Sequence, residues 1–133
     1  MAQHYDTIIL GAGPGGMTAA TYASRANMSV LMIDRGIYGG QMNNTAEVEN
    51  YPGFESILGP ELAEKMYASS TKFGAEYAFG SVLHVEAQHD GTWHVVTDMD
   101  DYTANTVIVA TGAANVKLAV PGEDQYTGRG VSY

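Results

Sequence analysis

Three glycines and one acidic residue near the start of the chain have the types and the spacing of a site for nucleotide phosphates. Gly11, Gly13 and Gly16 form a G-x-G-x-x-G turn, and Asp34 follows near the distance of about 20 residues at which an acid commonly bonds a ribose hydroxyl. In such a turn the first glycine permits a tight bend, the second lets a pyrophosphate approach the backbone, and the third lets the helix pack closely. The spacing therefore predicts dinucleotide binding.

The elements around these residues are those that the motif requires. Residues 7–10 are apolar and predict a buried strand, residues 14–27 predict a helix with small residues along one side, and residues 29–33 predict a second buried strand. Together they predict a βαβ unit with a parallel pair of strands. The first free amides of the helix, and its dipole, then face the bound phosphates.

The rest of the chain predicts a long loop, a second helix and several short strands. Residues 35–54 lack periodicity and predict a loop, whereas Pro60 begins a helix whose apolar face includes Phe73 and which ends at Gly74. The predicted strands that follow are residues 82–88, 93–97, 102–103 and 106–110, with a hairpin turn at Asp90-Gly91. The last of them is fully apolar, so we expect it to return to the parallel sheet.

Two features favour FAD over NAD as the dinucleotide. Residues 82–103 predict a small antiparallel meander before the last parallel strand, where a plain nicotinamide domain alternates strands and helices. The last strand also runs into Ala110-Thr111-Gly112, whose small side chains let a backbone approach a ligand at the carboxyl edge of the sheet. We therefore predict an α/β, Rossmann-like FAD/NAD(P)-binding domain over residues 1–112, with a parallel sheet and a small antiparallel β-meander, and a linker over residues 113–133.

Composition excludes several classes of function. The 133 residues are 45% hydrophobic and carry a net charge of −9, which predicts a globular domain and disfavours nucleic acid as a partner. Cysteine is absent, so the chain has no disulfide, thiolate metal site or cysteine nucleophile.

His84, His89 and His94 surround one hairpin, but the predicted register sets His94 opposite Ala87, so we expect no metal site. The apolar runs are too short to span a membrane and the chain begins without a secretion signal, which favours a cytoplasmic location.

Several longer motifs resemble the bacterial thioredoxin reductases of low molecular weight. They are Tyr22-Ala23-Ser24-Arg25-Ala26-Asn27, Gly39-Gly40-Gln41-Met42, Glu47-Val48-Glu49-Asn50-Tyr51-Pro52-Gly53, Val120-Pro121-Gly122-Glu123 and Gly128-Arg129-Gly130-Val131-Ser132-Tyr133. The Gly-Gly-Gln and Glu-Asn-Tyr-Pro-Gly pieces are specific to this group of flavoproteins, far more so than the glycine turn. The last segment resembles the one that immediately precedes the redox Cys-x-x-Cys in that family.

This resemblance implies roles in cofactor binding and no catalytic or metal-ligating residue in the chain itself. It implies that Gly11, Ala12, Gly13 and Pro14 hold the FAD pyrophosphate while Gly16 lets the helix pack, and that Asp34 and Arg35 flank the adenosine ribose and adenine. The other implied contacts are Gly39, Gly40 and Gln41 along the ribityl chain and flavin, Asn50 at the isoalloxazine ring, the Val82 backbone at the adenine, and Ala110, Thr111 and Gly112 over the cofactor.

The resemblance also implies what this chain lacks. In that family FAD passes electrons from NADPH to a dithiol that reduces thioredoxin, and we expect a homodimer. The sequence stops at Tyr133, so we expect an N-terminal portion of such a reductase, without the last part of the FAD fold or the NADPH domain, inactive alone and retaining FAD weakly or not at all. Three alternatives stay open: a ferredoxin-NADP or peroxiredoxin reductase of the same fold, a non-catalytic nucleotide-binding module, and a partly folded fragment whose uncovered apolar face promotes association.

Overall fold

Six strands form one mixed sheet in the computed structural model, which describes residues 2–133. The elements, in chain order, are β1 (Gln3–Leu10), α1 (Pro14–Arg25), β2 (Val30–Asp34), a 3₁₀ helix (Gly40–Asn44), β3 (Glu47–Val48), β4 (Ile57–Leu58), α2 (Gly59–Thr71), β5 (Glu76–Phe79), β6 (Val82–Ala87), β7 (Trp93–Thr97), β8 (Asp101–Val109) and α3 (Glu123–Tyr126). The sheet order is β5-β2-β1-β8-β7-β6, and β3 pairs separately with β4. The first four strands of that order are parallel and the last two are antiparallel to their neighbours. The predicted Rossmann-like fold is confirmed.

The βαβ unit forms as its residue pattern predicts. Along β1, Ile8 and Leu10 pack into a core cluster on one face of the sheet, while Ile9 packs with Met17 and Met32 on the other. Because alternate residues point to opposite faces, a strand that is buried on both sides needs a continuous apolar run. The small residues of α1 let that helix lie close to the sheet and to α2.

The meander and the parallel sheet are one sheet, which the sequence did not predict. The separate strands predicted at 102–103 and 106–110 form the single strand β8, in which Ala104 pairs with Trp93 on one side and with Tyr5 on the other. The expected return of residues 106–110 to the parallel sheet is confirmed, because β8 pairs in parallel with β1, although Val109 is 72% exposed and Ile108 is 38% exposed. The strand β5 was not predicted at all.

Three local predictions need correction. The predicted loop at 35–54 contains the 3₁₀ helix and β3. Phe73 lies beyond the end of α2 and is half exposed, with the cationic groups of Arg25 and Lys72 near its ring. The hairpin register is shifted by one residue, because the loop has a left-handed Gly91 in third position; His94 therefore lies opposite Glu86 and not Ala87.

The segment 117–133 is organised around one buried carboxylate. Glu123 accepts hydrogen bonds from the backbone N–H of Leu118 at 3.0 Å and of Ala119 at 2.8 Å, and from the hydroxyl of Tyr133. Residues 113–133 thus contain local order, and their division from residues 1–112 stays a prediction. Among residues 2–133, no helix is long and apolar enough to cross a membrane, and no three acidic, histidine or cysteine side chains are grouped as metal ligands.

Candidate functional site

The glycine turn lies at the carboxyl end of β1, in direct contact with the end of β8. Gly11 has a φ of +109°, which favours glycine, and its N–H donates to the carbonyl of Ile33 at 2.8 Å. A Cβ atom added to Gly11 would lie 2.1 Å from the carbonyl oxygen of Ala110. Any side chain at this position would therefore force the turn and the end of β8 apart.

The other two glycines of the motif have different surroundings. A Cβ atom on Gly16 would lie 2.0 Å from the carbonyl oxygen of Gly11, so the absence of a side chain sets how closely α1 packs on the turn. A Cβ atom on Gly13 would meet nothing within 4 Å. Gly13 is thus the one of the three whose side-chain position is open, as the pyrophosphate role predicted for it requires.

The N-terminus of α1 supplies hydrogen-bond donors at this open position. Gly13 is the N-cap and has no side chain to cap the helix, and the N–H of Met17 is the first that reaches back, to the carbonyl of Gly13 at 2.9 Å. The N–H groups that precede Met17 in a helix have no acceptor within that helix, and the helix dipole adds partial positive charge beside them. An anion at this point is therefore favoured.

Asp34 links the turn to the loop that follows β2. One carboxylate oxygen accepts the N–H of Ala12 at 2.8 Å and the other accepts the N–H of Gly36 at 3.0 Å. Each oxygen of an ionised carboxylate can accept more than one hydrogen bond, so Asp34 can still accept bonds from ligand hydroxyls. The fixed carboxylate is suited to a sugar.

Part of the predicted site lines a single cleft of about 280 Å³. The lining residues are Leu10, Gly11, Ile33, Asp34, Arg35, Gly80, Ser81, Val82 and Thr111. The cleft lies at the carboxyl ends of the parallel strands, beside β1, where the chain places β2 on one side and β8 on the other. Open α/β sheets bind their ligands at such a point.

Other predicted residues support this cleft without lining it. The N–H of Gly39 donates to the carbonyl of Ala12 at 2.8 Å, and a Cβ atom on Gly40 would lie 3.2 Å from the Cα atom of Gly13. These contacts bring the loop at residues 39–40 against the glycine turn, next to Pro14 at the start of α1. The N–H of Ala110 donates to the carbonyl of Leu10 at 2.8 Å, which holds the end of β8 at the turn.

Three further predicted residues neither line the cleft nor make these supporting contacts. Gln41 is exposed on the 3₁₀ helix, Gly112 is exposed beyond β8, and Asn50 is exposed after β3. Asn50 immediately precedes Tyr51, which lines a second cavity of about 340 Å³ between α1 and α2. Their roles stay predictions.

Sequence reasoning missed the cleft residues that follow β5. Gly80 donates its N–H to the carbonyl of Asp34 at 2.9 Å, and the N–H of Ser81 donates to the carboxylate of Asp98 at 2.7 Å. The short alternation of Glu76 to Phe79 before Gly80 was the signal that could have revealed this strand.

Tyr77, also on β5, lies behind the loop that follows Asp34. Its hydroxyl donates to the carbonyl of Gly36. Burial, the nearby Asp34 carboxylate and Tyr67 together raise the pKa of Tyr77, so its hydroxyl is protonated and can donate at neutral pH.

Comparisons with known proteins identify the family of this chain. Residues 5–133 match the family described as pyridine nucleotide-disulphide oxidoreductase. The chain is 60% identical over 131 residues to a thioredoxin reductase of Bacillus subtilis and 55% identical over 130 residues to one of Listeria monocytogenes. Each alignment covers 97% of this chain and 40% of the relative, so the chain spans well under half the length of these relatives.

Solved structures of thioredoxin reductases contain the fold of this chain. A thioredoxin reductase of Lactococcus lactis superposes with a TM-score of 0.85 at 50% identity, over 97% of this chain and 42% of that one. A thioredoxin reductase of Streptococcus pyogenes superposes with a TM-score of 0.85 at 53% identity, over 100% of this chain and 43% of that one.

Proposed function

This chain belongs to the pyridine nucleotide-disulphide oxidoreductase family, and we propose that its cleft holds the adenosine diphosphate half of FAD. One observation carries the proposal. Gly11 and the fixed carboxylate of Asp34 line the cleft, and Asp34 accepts the N–H of Ala12, the residue directly before the open N-terminus of α1 at Gly13. An anion site and a hydroxyl acceptor placed together match a nucleoside diphosphate.

The residues of the chain divide between the two ends of the cofactor. Gly11, Ala12, Gly13 and Pro14 would hold the pyrophosphate, Asp34 and Arg35 the ribose and adenine, and the Val82 backbone the adenine. The flavin half would lie toward Gly39, Gly40, Gln41 and Asn50, with Ala110, Thr111 and Gly112 at the end of β8 closing over the cofactor.

The chain contributes binding and orientation to a redox reaction that needs further groups. When bound, FAD would supply the redox chemistry, in which its flavin takes a hydride from NADPH and passes electrons to a dithiol that reduces thioredoxin. This chain has no cysteine to serve as that dithiol. We propose that its residues serve this reaction in a cytoplasmic, homodimeric thioredoxin reductase of the length of its relatives.

Competition between parts of the cofactor tests the proposed site. We expect ADP to bind the 133-residue chain with one site by titration calorimetry, and FAD to compete with ADP for that site. Riboflavin, which lacks the adenosine diphosphate half, should not displace ADP. Failure of ADP to bind, or displacement of ADP by riboflavin, would refute the assignment of the cleft.

A further inference from the structure

A tyrosine of β5, the strand beside β2, forms a hydrogen bond to the loop between β2 and the 3₁₀ helix. Tyr77 lies on β5, and its hydroxyl donates to the carbonyl of Gly36. The N–H of the same residue, Gly36, donates to the Asp34 carboxylate at 3.0 Å. One residue of the loop thus receives a hydrogen bond from Tyr77 and gives one to Asp34.

The ring of Tyr77 is fixed separately from its hydroxyl. Tyr38 and Tyr67 stack with their centroids 3.8 Å apart and their planes 8° apart. The Tyr77 ring meets Tyr38 at 6.2 Å and Tyr67 at 6.1 Å, nearly perpendicular to both. These edge-to-face contacts hold the ring where its hydroxyl reaches Gly36.

The two amides that orient the Asp34 carboxylate differ in their surroundings, because one is in a buried residue and the other is in an exposed loop. The N–H of Ala12 belongs to a fully buried residue of the glycine turn. The N–H of Gly36 lies between the exposed residues Arg35 and Ile37, in a loop where glycine adds backbone freedom. The hydroxyl of Tyr77 is therefore the contact that keeps this amide directed at Asp34.

We propose that Tyr77 is a positioning residue for ribose recognition, whose hydroxyl fixes Gly36 and thereby aims the Asp34 carboxylate into the cleft. The inference rests on the proposed function, because it takes the ligand to be an adenosine diphosphate whose ribose bonds Asp34. It adds a residue that touches no ligand and acts only through the loop.

The test compares ADP with 2′-deoxy-ADP, which differ in the hydroxyl that such an acid bonds. We expect the wild-type chain to prefer ADP by at least about tenfold, the lower end of the value of one hydrogen bond to a charged group. Tyr77→Phe, which keeps the ring, should reduce that preference below about threefold, close to the value for Asp34→Asn. Tyr67→Phe is the matched control, since in residues 2–133 its hydroxyl makes no hydrogen bond; it should keep the wild-type preference.

A second measurement needs neither ligand nor substitution. In the wild-type chain the hydroxyl proton of Tyr77 should exchange with water more slowly than that of Tyr67, by NMR. Fast exchange of the Tyr77 hydroxyl, or a Tyr77→Phe chain that retains the wild-type preference for ADP, overturns the inference alone. A wild-type chain that fails to bind ADP overturns the proposed function and this inference with it.

Discussion

Alanine at Gly16 should lower stability, whereas alanine at Gly13 should weaken ligand binding, because a side chain at Gly16 meets backbone and one at Gly13 does not. On Gly16 the new methyl group would lie 2.0 Å from the Gly11 carbonyl oxygen, far inside the 3.4 Å at which ordinary contact begins. Overpacking against backbone destabilises the folded state by about 3 kcal/mol, and the better helix propensity of alanine offsets roughly 1 kcal/mol of this. We expect Gly16→Ala to lower the free energy of unfolding by about 2 kcal/mol.

Gly13→Ala should fold normally and bind poorly. Gly13 has a φ of −76°, which alanine adopts without strain, and its methyl group would meet nothing within 4 Å. Alanine is a poorer N-cap by about 1 kcal/mol, while its smaller unfolded-state entropy returns about 0.5 kcal/mol, so stability should change by less than about 1 kcal/mol. The methyl group covers the amides that would bond the pyrophosphate. Loss of one such bond weakens ADP binding by about 10- to 100-fold.

Urea unfolding and ADP titration calorimetry measure these two effects separately. Gly15→Ala is the control for stability, because a Cβ atom there also meets nothing within 4 Å in the same turn. It should unfold at a urea concentration no lower than the wild type. The reasoning fails if Gly13→Ala is as unstable as Gly16→Ala, or if it binds ADP as tightly as the wild type.

Three further predictions concern stability. Thr7→Val should raise the free energy of unfolding by about 1 kcal/mol in urea, since the Thr7 hydroxyl is buried without a hydrogen-bond partner in the described part of the chain; a loss of stability would contradict this. Met32→Ala should cost about 2–5 kcal/mol, because Met32 is fully buried, whereas Met28→Ala, at a partly exposed site, should cost far less; equal costs would be inconsistent with the core described above. The hydroxyl of Tyr133, with nearby amides, lowers the pKa of Glu123, so the charged form stabilises the segment 117–133 at neutral pH and this is lost as pH falls through that lowered pKa. Glu123→Gln should lower the protection of the amides in 117–133 from hydrogen exchange at neutral pH, and that protection should no longer fall in acid. Wild-type protection would refute the role of the carboxylate.

The sequence predicted the βαβ unit and its glycine turn because their signals are local. Apolar runs, turn glycines and the acid that ends β2 all lie within one short stretch of chain. The same holds for the motif residues Gly11 and Asp34, which the fold brings together beside one cleft.

The missed features depend on partners distant in the sequence. The strand β5 has only four residues, with Glu76 and Tyr77 among them, and it forms because β2 offers a free edge. The strand β8 reads as two segments because Asn105 interrupts its apolar pattern, and pairing with both β1 and β7 makes it continuous. Pairing of this kind is set by the whole sheet and not by local preference.

The contribution of Tyr77 to the site could not be predicted for the same reason. Nothing in the sequence links Tyr77 to Gly36, since the contact requires β5 to lie beside β2. The roles of Gln41 and Asn50 came from motif resemblance alone, and they stay predictions.

Chemical-shift mapping with ADP on the ¹⁵N-labelled chain tests the central claim most directly. We expect the largest amide shifts at residues 11–16, 34–36 and 80–82, around the cleft between the glycine turn and Asp34. FAD should add shifts at 39–41 and at Asn50, on the side assigned to the flavin. Shifts centred on the second cavity between α1 and α2, or no shifts at saturating ADP, would contradict the account.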